Sequence, residues 1–529
     1  MFPPDDVFVW ALTLPSLTIT SGLILRWLDG SPQHCAKVFA DDVWWGIPEM
    51  SSSVKVAKNS LWLIVQPLLL NAISIFAIAY IARRLGKVDY GRFVFAFTYV
   101  AMFMPFANMG LRAVTVRSVA ADREHTDENL GRLAVVRLIL ALLVTLVAVV
   151  VAIVMGYPPE TLQVVYIAAT TIVLQTVFST FLDAFQGHEA MSYVGKTQFV
   201  SGAVLTVLSV AVLFIGFGLV GLATVYAFGS ALGLVLAVFY FYRDIGRPRY
   251  GFDLKYIWAS LVKGAPFFFP SLIMAVANKI GIVLVSAMAD SAAVGSYGAA
   301  NTLVDRLTII SDGVCTAMYP TLVILHKEAP SDAIALYRRV FLWMFVLGLP
   351  IAVGTTVLAE PIIRLVYGTN YASSVPTLRL LIWWLSLTFL TNVQAWTLAS
   401  AGWERCGARV ALLTAPLLVA LTAICIPQLK EAGAALALLL STVFSFVMLT
   451  YYSRKHITRS PLTGLQFAST LAAGAFMGGC AYLLRHANVL LTISVCAATY
   501  GGSVWVLRIV PHAEVQSLVG IVRAKLRRT

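Results

Sequence analysis

The chain has 529 residues, of which 59% are hydrophobic and only 12% are charged, and its mean hydropathy is +0.84. A soluble domain of average composition carries roughly a quarter charged residues, about twice this share. The composition therefore excludes an ordinary soluble protein and indicates a polytopic membrane protein. The net charge of +13 does not indicate nucleic-acid binding, because that would require a basic face on a soluble domain.

Residues 1–49 stand apart as an N-terminal extension. Residues 7–25 are uncharged, but Pro15 and several Thr and Ser interrupt them. No basic region precedes this stretch and no small-residue cleavage site follows it, so it does not resemble a signal peptide. A start codon assigned too far upstream, an unrelated extension and a fifteenth helix all stay open as interpretations.

From residue 50 onward, charged and Pro/Gly-rich interruptions divide the chain into apolar runs. There are fourteen of them, each about 19 to 25 residues long, which is the length that a helix needs to cross a bilayer. Residues 144–154 are apolar at nearly every position, which excludes the alternation of a transmembrane barrel. The predicted spans are residues 59–82, 93–111, 133–155, 162–182, 197–217, 221–242, 264–288, 299–320, 340–358, 377–399, 410–427, 432–452, 464–484 and 488–507.

The distribution of basic residues orients these spans. If residue 50 starts on the cytoplasmic side, the cytoplasmic segments hold 25 Lys and Arg and the outside loops hold 7. This positive-inside bias predicts that both ends of the fourteen-span body are cytoplasmic, and it predicts contact with anionic lipid. No loop exceeds roughly 22 residues. There is therefore no room for a soluble catalytic domain, and we expect no enzyme.

The second half of the chain repeats the first at an offset of slightly more than 200 residues. Gln66-Pro67 recurs as Phe269-Pro270, for example, and Gly91 recurs as Gly295. The offset corresponds to six spans, an even number, so equivalent helices point the same way. The repeat predicts two six-helix lobes related by a parallel pseudo-two-fold axis, and transporters are commonly built from such repeats.

The predicted fold is therefore an all-α polytopic membrane protein of about fourteen transmembrane helices. After the extension at 1–49 we expect an N-lobe at residues 50–245 and a C-lobe at residues 246–455. Residues 456–529 then form two C-terminal accessory helices and a basic cytoplasmic tail.

Several short stretches carry a resemblance to a known family. They are NSLW at 59–62, ARRLGKVDYGRF at 82–93, NMGL at 108–111, AVGSY at 293–297 and YGTNY at 367–371. Together they resemble Wzx-type polysaccharide or O-antigen flippases. These belong to the multidrug/oligosaccharidyl-lipid/polysaccharide (MOP) exporter superfamily, and the resemblance covers about residues 55 to 510.

This resemblance implies a flippase of a bacterial inner membrane. It would move a polyisoprenoid-diphosphate-linked oligosaccharide to the outer leaflet by alternating access, for exopolysaccharide, capsule or O-antigen assembly. Expected partners are the lipid-linked glycan, membrane lipids, a polysaccharide polymerase and a chain-length regulator. We expect no cofactor, but a proton or sodium ion as coupling ion. A lipid II flippase, a cation-coupled drug antiporter and a membrane glycosyltransferase or ligase stay open as alternatives.

Three charged residues lie within spans 7 and 8. At ~1.5 Å per residue, Lys279, Asp305 and Arg306 lie roughly 10 to 13 Å from the outer ends of their spans. A charge in hydrocarbon costs at least ~2.5 kcal/mol, so these groups should face the protein interior or water. We interpret them as a cationic cavity wall that attracts the substrate diphosphate. The alternative is a structural Lys279–Asp305 pair, with Arg306 snorkelling outward.

Polar residues deeper in the C-lobe complete the candidate site. Asp312 is the candidate for ion or proton coupling, with a packing carboxylate as the alternative. Asn392, Gln394 and Trp396 in span 10 offer polar and stacking contacts for sugars. Interhelical hydrogen bonding explains the two amides equally well, and the tryptophan can simply pack.

The remaining charges near the spans have simpler interpretations. Arg137 and Arg379 lie at the ends of their spans, which favours interfacial snorkelling. Relatives often have an acidic residue where Gly281 stands, so a coupling role at that position is in doubt. Four basic residues cluster in the first outside loop, which we interpret as a solvated hinge or as an attraction for anionic glycans; they are Arg83, Arg84, Lys87 and Arg92.

Overall fold

The computed structural model describes residues 52–123, 126–458, 460–485, 487–507 and 509. The N-terminal extension at 1–49 and most of the basic tail therefore lie outside the described residues. Within the described ranges the chain is helical and contains no strand.

Fourteen α-helices and a short 3₁₀ turn follow one another through the described residues. They are α1 (Ser52–Asn108), α2 (Leu111–Ala121), α3 (Thr126–Val154), α4 (Pro159–Gly187), α5 (Met191–Ile215), α6 (Gly218–Asp244), α7 (Leu254–Met288), α8 (Ser291–Asp305), α9 (Thr308–Glu328), α10 (Pro330–Tyr367), the 3₁₀ turn Thr369–Tyr371, α11 (Ser374–Ser400), α12 (Glu404–His456), α13 (Gly464–Leu483) and α14 (Val489–Val506).

Two of these helices each contain two predicted spans. The 57 residues of α1 are interrupted at Gly86, whose φ of 74° and ψ of 173° are not helical. The 53 residues of α12 are interrupted at Lys430, at φ 48° and ψ −126°. A positive φ is uncommon for a residue other than glycine. Spans 1 and 2, and spans 11 and 12, are therefore joined by sharp changes of direction rather than by loops.

Helix α2 was not predicted as a separate element. It follows Gly110, which has φ 69°, and a Cβ at Gly110 would collide with the backbone carbonyl of Gly264 on α7. Arg117 on α2 lies over the ring of Phe267, 5.2 Å from its centroid. The short basic helix is thus held against α7 by a glycine contact and by a cation–π contact.

Span 8 is divided into two helices. Helix α8 ends at Asp305, Arg306 and Leu307 form a turn, and α9 begins at Thr308. The Thr308 hydroxyl donates to the Asp305 carbonyl across the turn (2.7 Å). This interruption leaves Asp305 and Arg306 at a helix break rather than on a continuous helix.

Nine helical stretches among the described residues are long and apolar enough to cross a membrane. The stretch Glu404–His456 holds two predicted spans, and Ser291–Glu328 joins α8 and α9. Two shorter apolar helices, Lys279–Met288 and Leu491–Val506, fall in predicted spans 7 and 14. Each of the fourteen predicted spans falls mainly on helical residues, and the chain is a multi-pass, all-α membrane protein.

The described residues form two compact units. The first contains residues of Met50–Ala299 and Ala415–Ala434. Its interior includes a cluster of apolar side chains from α2, α3, α4 and α6, namely Val119, Leu130, Phe181, Ala184, Phe185, Ala237 and Phe241. Helix α7 packs against α1, α2 and α3 within this unit.

The second unit contains residues of Ala300–Thr414 and those from Ala435 onward. Accessory helices α13 and α14 pack on α10 through an apolar cluster that includes Leu342, Met477 and Tyr500. The Tyr500 hydroxyl also donates to the carbonyl of Val346 (2.9 Å). The predicted lobe boundaries at residues 245 and 455 stay predictions.

Candidate functional site

The predicted site residues are divided between the two units. Lys279 lies on α7 in the first unit. Asp305 and Arg306 belong to the second unit, as do Asp312 on α9 and the three span 10 residues on α11. Asp305 is exposed, whereas Lys279 and Arg306 are half-buried. The geometry of each group is described within its own unit.

Helices α9 and α11 bring Asp312 and Asn392 together. The Asn392 amide nitrogen Nδ2 lies 3.2 Å from Ser311 Oγ and 3.3 Å from Asp312 Oδ1, and donates to both. Asp312 is exposed and Asn392 is half-buried. The predicted coupling residue and one predicted sugar contact thus form one hydrogen-bonded cluster.

An aromatic pair lies further along the same two helices. The rings of Tyr319 and Trp396 meet edge to face, with centroids 5.2 Å apart and an interplanar angle of 74°. Asp312 and Tyr319 are two turns apart on α9, and Asn392 and Trp396 are one turn apart on α11, so each pair shares a helix face. The combination of carboxylate, amide and aromatic rings is suited to sugar hydroxyls and sugar faces. Tyr319 was missed in the sequence, where only its seven-residue spacing from Asp312 could have indicated it.

Gln394 does not belong to this face. Its side chain is fully buried, and its Nε2 donates to Thr450 Oγ1 on α12 (2.9 Å). Tyr337 and Ser453, also buried, lie beside it. The Gln394 amide thus joins α11 to α12 and has no exposed surface, which favours the alternative of interhelical hydrogen bonding over a sugar contact.

The space beside Gly281 is occupied by a tyrosine. A Cβ at Gly281 would lie 3.3 Å from the hydroxyl oxygen of Tyr297, which is on α8 in the same unit. Gly281 lies two residues after Lys279 on α7. This chain therefore places the phenol of Tyr297 beside the backbone of α7.

A buried charge cluster occupies the first unit. Arg137 on α3 has no exposed surface, and its Nη2 donates to Asp183 Oδ2 on α4 (2.8 Å) and to Thr115 Oγ1 on α2 (3.1 Å). Its Nη1 donates to Thr180 Oγ1 (3.2 Å). Arg112, whose side chain is largely exposed, approaches Asp183 Oδ1 with its Nε at 3.5 Å. The interpretation of Arg137 as a snorkelling residue was wrong, since its guanidinium lies inside the helix packing.

The basic residues that were predicted for the first outside loop lie on α1 around Gly86, and their charges are partly neutralised. Arg92 pairs with Asp89 (2.9 Å) and with Glu160 (2.5 Å), and the Arg84 Nε donates to the Tyr80 hydroxyl (3.2 Å). These contacts favour a solvated hinge over a glycan-attracting surface. Arg379 is exposed, and its Nε donates to the carbonyl of Thr356 (3.2 Å).

Residues that could hold a metal were also considered. Across the described part of the chain, no three His, Cys, Asp or Glu side chains lie close enough together to bind a metal ion. The five described cysteines are free thiols.

Comparison with known proteins identifies the family and the fold. Residues 56–326, more than half of the chain, match a family described as polysaccharide biosynthesis protein. No curated relative matches the chain. The structure is similar to that of the lipid II flippase MurJ in an inward closed conformation, with a TM-score of 0.67 and 15% identity over 84% of this chain and 97% of that one.

Two multidrug resistance MATE family transporters of the MOP superfamily are similar as well. The inward-facing one gives a TM-score of 0.60 at 15% identity, over 73% of this chain and 94% of that chain. The outward-facing one gives 0.52 at 15% identity, over 76% of this chain and 95% of that chain. At this identity the likeness shows the fold alone, and it is the fold of the predicted superfamily.

Proposed function

Because the chain belongs to the polysaccharide biosynthesis protein family, we propose that it is a flippase for a polyisoprenoid-diphosphate-linked oligosaccharide. It works by alternating access in a bacterial inner membrane, with both ends of the fourteen-span body in the cytoplasm. The translocated oligosaccharide is used for exopolysaccharide, capsule or O-antigen assembly. A polysaccharide polymerase and a chain-length regulator are the proposed partners in that assembly.

The observation that carries this proposal is the charged break in span 8. Irregular backbone at membrane depth is tolerated only where it is buried in protein or lines a water-filled cavity, and transporters place substrate and ion sites at such interruptions. Here the turn between α8 and α9 carries Arg306 and follows Asp305. A planar guanidinium suits bidentate pairing with diphosphate oxygens. Arg306 is therefore proposed to hold the diphosphate headgroup, and Asp305 is proposed to orient the Arg306 side chain.

The glycan is proposed to contact the polar face of α9 and α11. Asp312 and Asn392 offer acceptors and a donor for sugar hydroxyls, and Trp396 offers an aromatic surface. Lys279, on α7 of the first unit, is proposed separately to attract the diphosphate through its own positive charge. Positive groups in a site of low dielectric attract an anion far more strongly than they would in bulk water.

Asp312 is proposed as the coupling residue. When it is ionised it accepts a hydrogen bond from Asn392 (3.3 Å). A proton or a sodium ion on the carboxylate would compete with that bond and alter the contact between α9 and α11. Asp312→Asn should therefore abolish the dependence of transport on the ion gradient, while downhill exchange of substrate persists.

The activity is tested by deleting the gene in its host. Undecaprenyl-linked repeat units should accumulate on the cytoplasmic leaflet while their synthesis continues. Failure of the lipid-linked unit to form would instead support a transferase, and accumulation of lipid II would support a lipid II flippase.

The site is tested by substitution. Arg306→Ala and Lys279→Ala should each impair export at unchanged abundance in the membrane, and Arg306→Lys should recover part of it, because charge is kept while bidentate geometry is lost. Arg364→Ala is the matched control, since this arginine is exposed and pairs with Glu360 one turn away (3.0 Å). Normal export by both alanine variants would refute the assignment.

A further inference from the structure

A basic pocket lies in the second unit, apart from the residues proposed to bind substrate. It is a cavity of about 530 Å³ between the first turns of α10 and the segment that leads into α13. We call it the basic pocket. Its lining residues are Ala335, Arg338, Arg339, Leu342, Ser460, Pro461, Leu462, Thr463 and Gln466.

The rim of the basic pocket is positively charged and rich in hydrogen-bonding groups. Arg338 and Arg339 are both exposed, and Arg338 Nη2 donates to Thr458 Oγ1 (2.9 Å), which holds its guanidinium beside the α13 segment. The Ser460 hydroxyl donates to the carbonyl of Leu462 (2.6 Å), and the side chains of Thr463 and Gln466 form a capping box at the start of α13, so these groups fix the shape of the rim. None of the described residues that line the cavity carries a carboxylate, so the charge of the cavity favours an anion.

The floor of the basic pocket is formed by apolar side chains that also pack the helices together. Leu342 is 6% exposed and belongs with Leu462 to the cluster that joins α10 to the accessory helices. One turn further, the rings of Phe345 and Phe467 stack at 5.6 Å, almost parallel. A ligand seated here would therefore contact α10 and the start of α13 at once.

The basic pocket also adjoins a surface suited to acyl chains. At the start of α13, the side chain of Leu465 is 81% exposed and that of Phe467 is 49% exposed. In a membrane-spanning chain such side chains contact lipid tails. A phosphate-binding rim next to an apolar, outward-facing surface matches an amphiphile rather than a free anion.

We propose that the basic pocket binds the phosphate headgroup of an anionic glycerophospholipid, and that the bound lipid fastens α13 and α14 to α10. The positive-inside bias predicts that residues 327–339 and 453–463 lie on the cytoplasmic side. Anionic lipids are found in that leaflet, and basic pockets between helices bind their headgroups there. The volume of the basic pocket, about 530 Å³, lies within the usual range of ligand pockets, ~300 to 1,000 Å³.

The test uses the full-length chain in nanodiscs of phosphatidylcholine with increasing phosphatidylglycerol. Phosphatidylglycerol should raise the unfolding temperature in a saturable way and should increase the hydrogen-exchange protection of α13. Arg338→Gln or Arg339→Gln should each weaken the apparent affinity about five-fold, the factor that corresponds to about 1 kcal/mol per basic residue at an anionic surface. Arg364→Gln, at the other end of α10, should leave the response unchanged.

Three results would overturn the proposal. An unchanged phosphatidylglycerol response in the Arg338→Gln/Arg339→Gln double variant would show that the lipid does not bind here. A lower unfolding temperature of that variant in pure phosphatidylcholine, with the lipid response intact, would assign the arginines to folding alone. Equal stabilisation by inorganic phosphate or pyrophosphate in phosphatidylcholine nanodiscs would assign the pocket to a free anion.

Discussion

Arg137 shows how this fold stabilises a charge inside the membrane. Its guanidinium is enclosed by Asp183 and by threonine hydroxyls from two neighbouring helices. The predicted span began at residue 133, which placed Arg137 near a span end, whereas helix α3 begins at Thr126. Arg137 therefore lies about three turns inside the helix, and because its side chain is fully buried it does not snorkel to water. Depth can be estimated from hydropathy, but the direction in which a side chain points depends on helix packing.

Removing one partner of this pair should destabilise the protein strongly. Asp183→Ala leaves the buried charge of Arg137 unpaired, which costs about 3–5 kcal/mol. Arg137→Ala leaves Asp183 with only the largely exposed Arg112, at 3.5 Å, and should cost less. Arg137→Met with Asp183→Leu should recover much of the loss. Thermal unfolding in detergent measures the effect. The control is Arg123→Ala, whose pair with Glu189 (2.6 Å) is exposed and should contribute only ~0–1 kcal/mol. If Arg123→Ala lowered the unfolding temperature as much as Arg137→Ala or Asp183→Ala does, this account would be contradicted.

His188, just after α4, is expected to make stability depend on pH. Burial, and next the charge of Arg123, lower the pKa of His188 from 6.5, against an opposing effect of Asp127. The unfolded chain therefore binds the proton more tightly than the folded chain. This contribution to stability is complete above the unfolded pKa and is lost as pH falls below it.

The expected result is a fall in unfolding temperature between about pH 7.5 and pH 5.5 that is smaller in His188→Gln. In the wild type, the Thr126 hydroxyl lies 2.9 Å from His188 Nε2, and a glutamine amide can keep that contact. The measurement is a thermal unfolding series across this pH range for both chains. Parallel curves would rule out a role for His188.

At the scale of elements, apolar runs predicted the helices well and missed the break inside span 8. The predicted spans fall mainly on helical residues, because length and hydropathy are local properties. The breaks at Gly86 and Lys430 lie in the predicted gaps between spans, at 83–92 and 428–431. The break at Arg306 falls inside a predicted span, since arginine is not a residue type that usually ends a helix. The same limit applies to the candidate site. The helices that carry Asp312 and Asn392 were predicted from the sequence, but the contact between these residues and the burial of Gln394 depend on how α9, α11 and α12 pack.

Helices α1 and α8 approach closely at two glycines that the sequence repeat makes equivalent. A Cβ on Gly91 would collide with the carbonyl oxygen of Ser291, and a Cβ on Gly295 would collide with that of Lys87. Each glycine thus packs against the preceding turn of the other helix. This reciprocal contact has the form that a two-fold axis produces.

Gly91→Ala or Gly295→Ala should therefore force α1 and α8 apart. Overpacking of this kind typically costs about 1–3 kcal/mol, so each variant should unfold at a lower temperature and export less. The matched control is Gly479→Ala on α13, where a Cβ would meet open space and alanine should slightly favour the helix. If Gly91→Ala and Gly295→Ala were as stable as Gly479→Ala, the two helices would accommodate the added methyl groups without loss of stability, and the prediction would be wrong.

At the scale of the whole molecule, the charge distribution and helix α10 make the topology testable. Helix α10 runs from Pro330 to Tyr367, long enough to cross the membrane. Arg338 and Arg339 lie near its start, and the predicted cytoplasmic segments hold 25 basic residues against 7 outside. A parallel repeat with both ends inside requires the start of α10 to face the cytoplasm and its end to face outward.

Single cysteines at the two ends of α10 decide this orientation. In a chain whose native cysteines are replaced, Thr369→Cys should react with a membrane-impermeant maleimide in intact spheroplasts, because Thr369 is exposed just beyond α10. Glu328→Cys, exposed just before α10, should react only after permeabilisation. The two sites flank one helix, so each controls for the expression and reactivity of the other. The reverse pattern would invert every loop assignment and would place the basic pocket, and the lipid proposed to fill it, on the outer face.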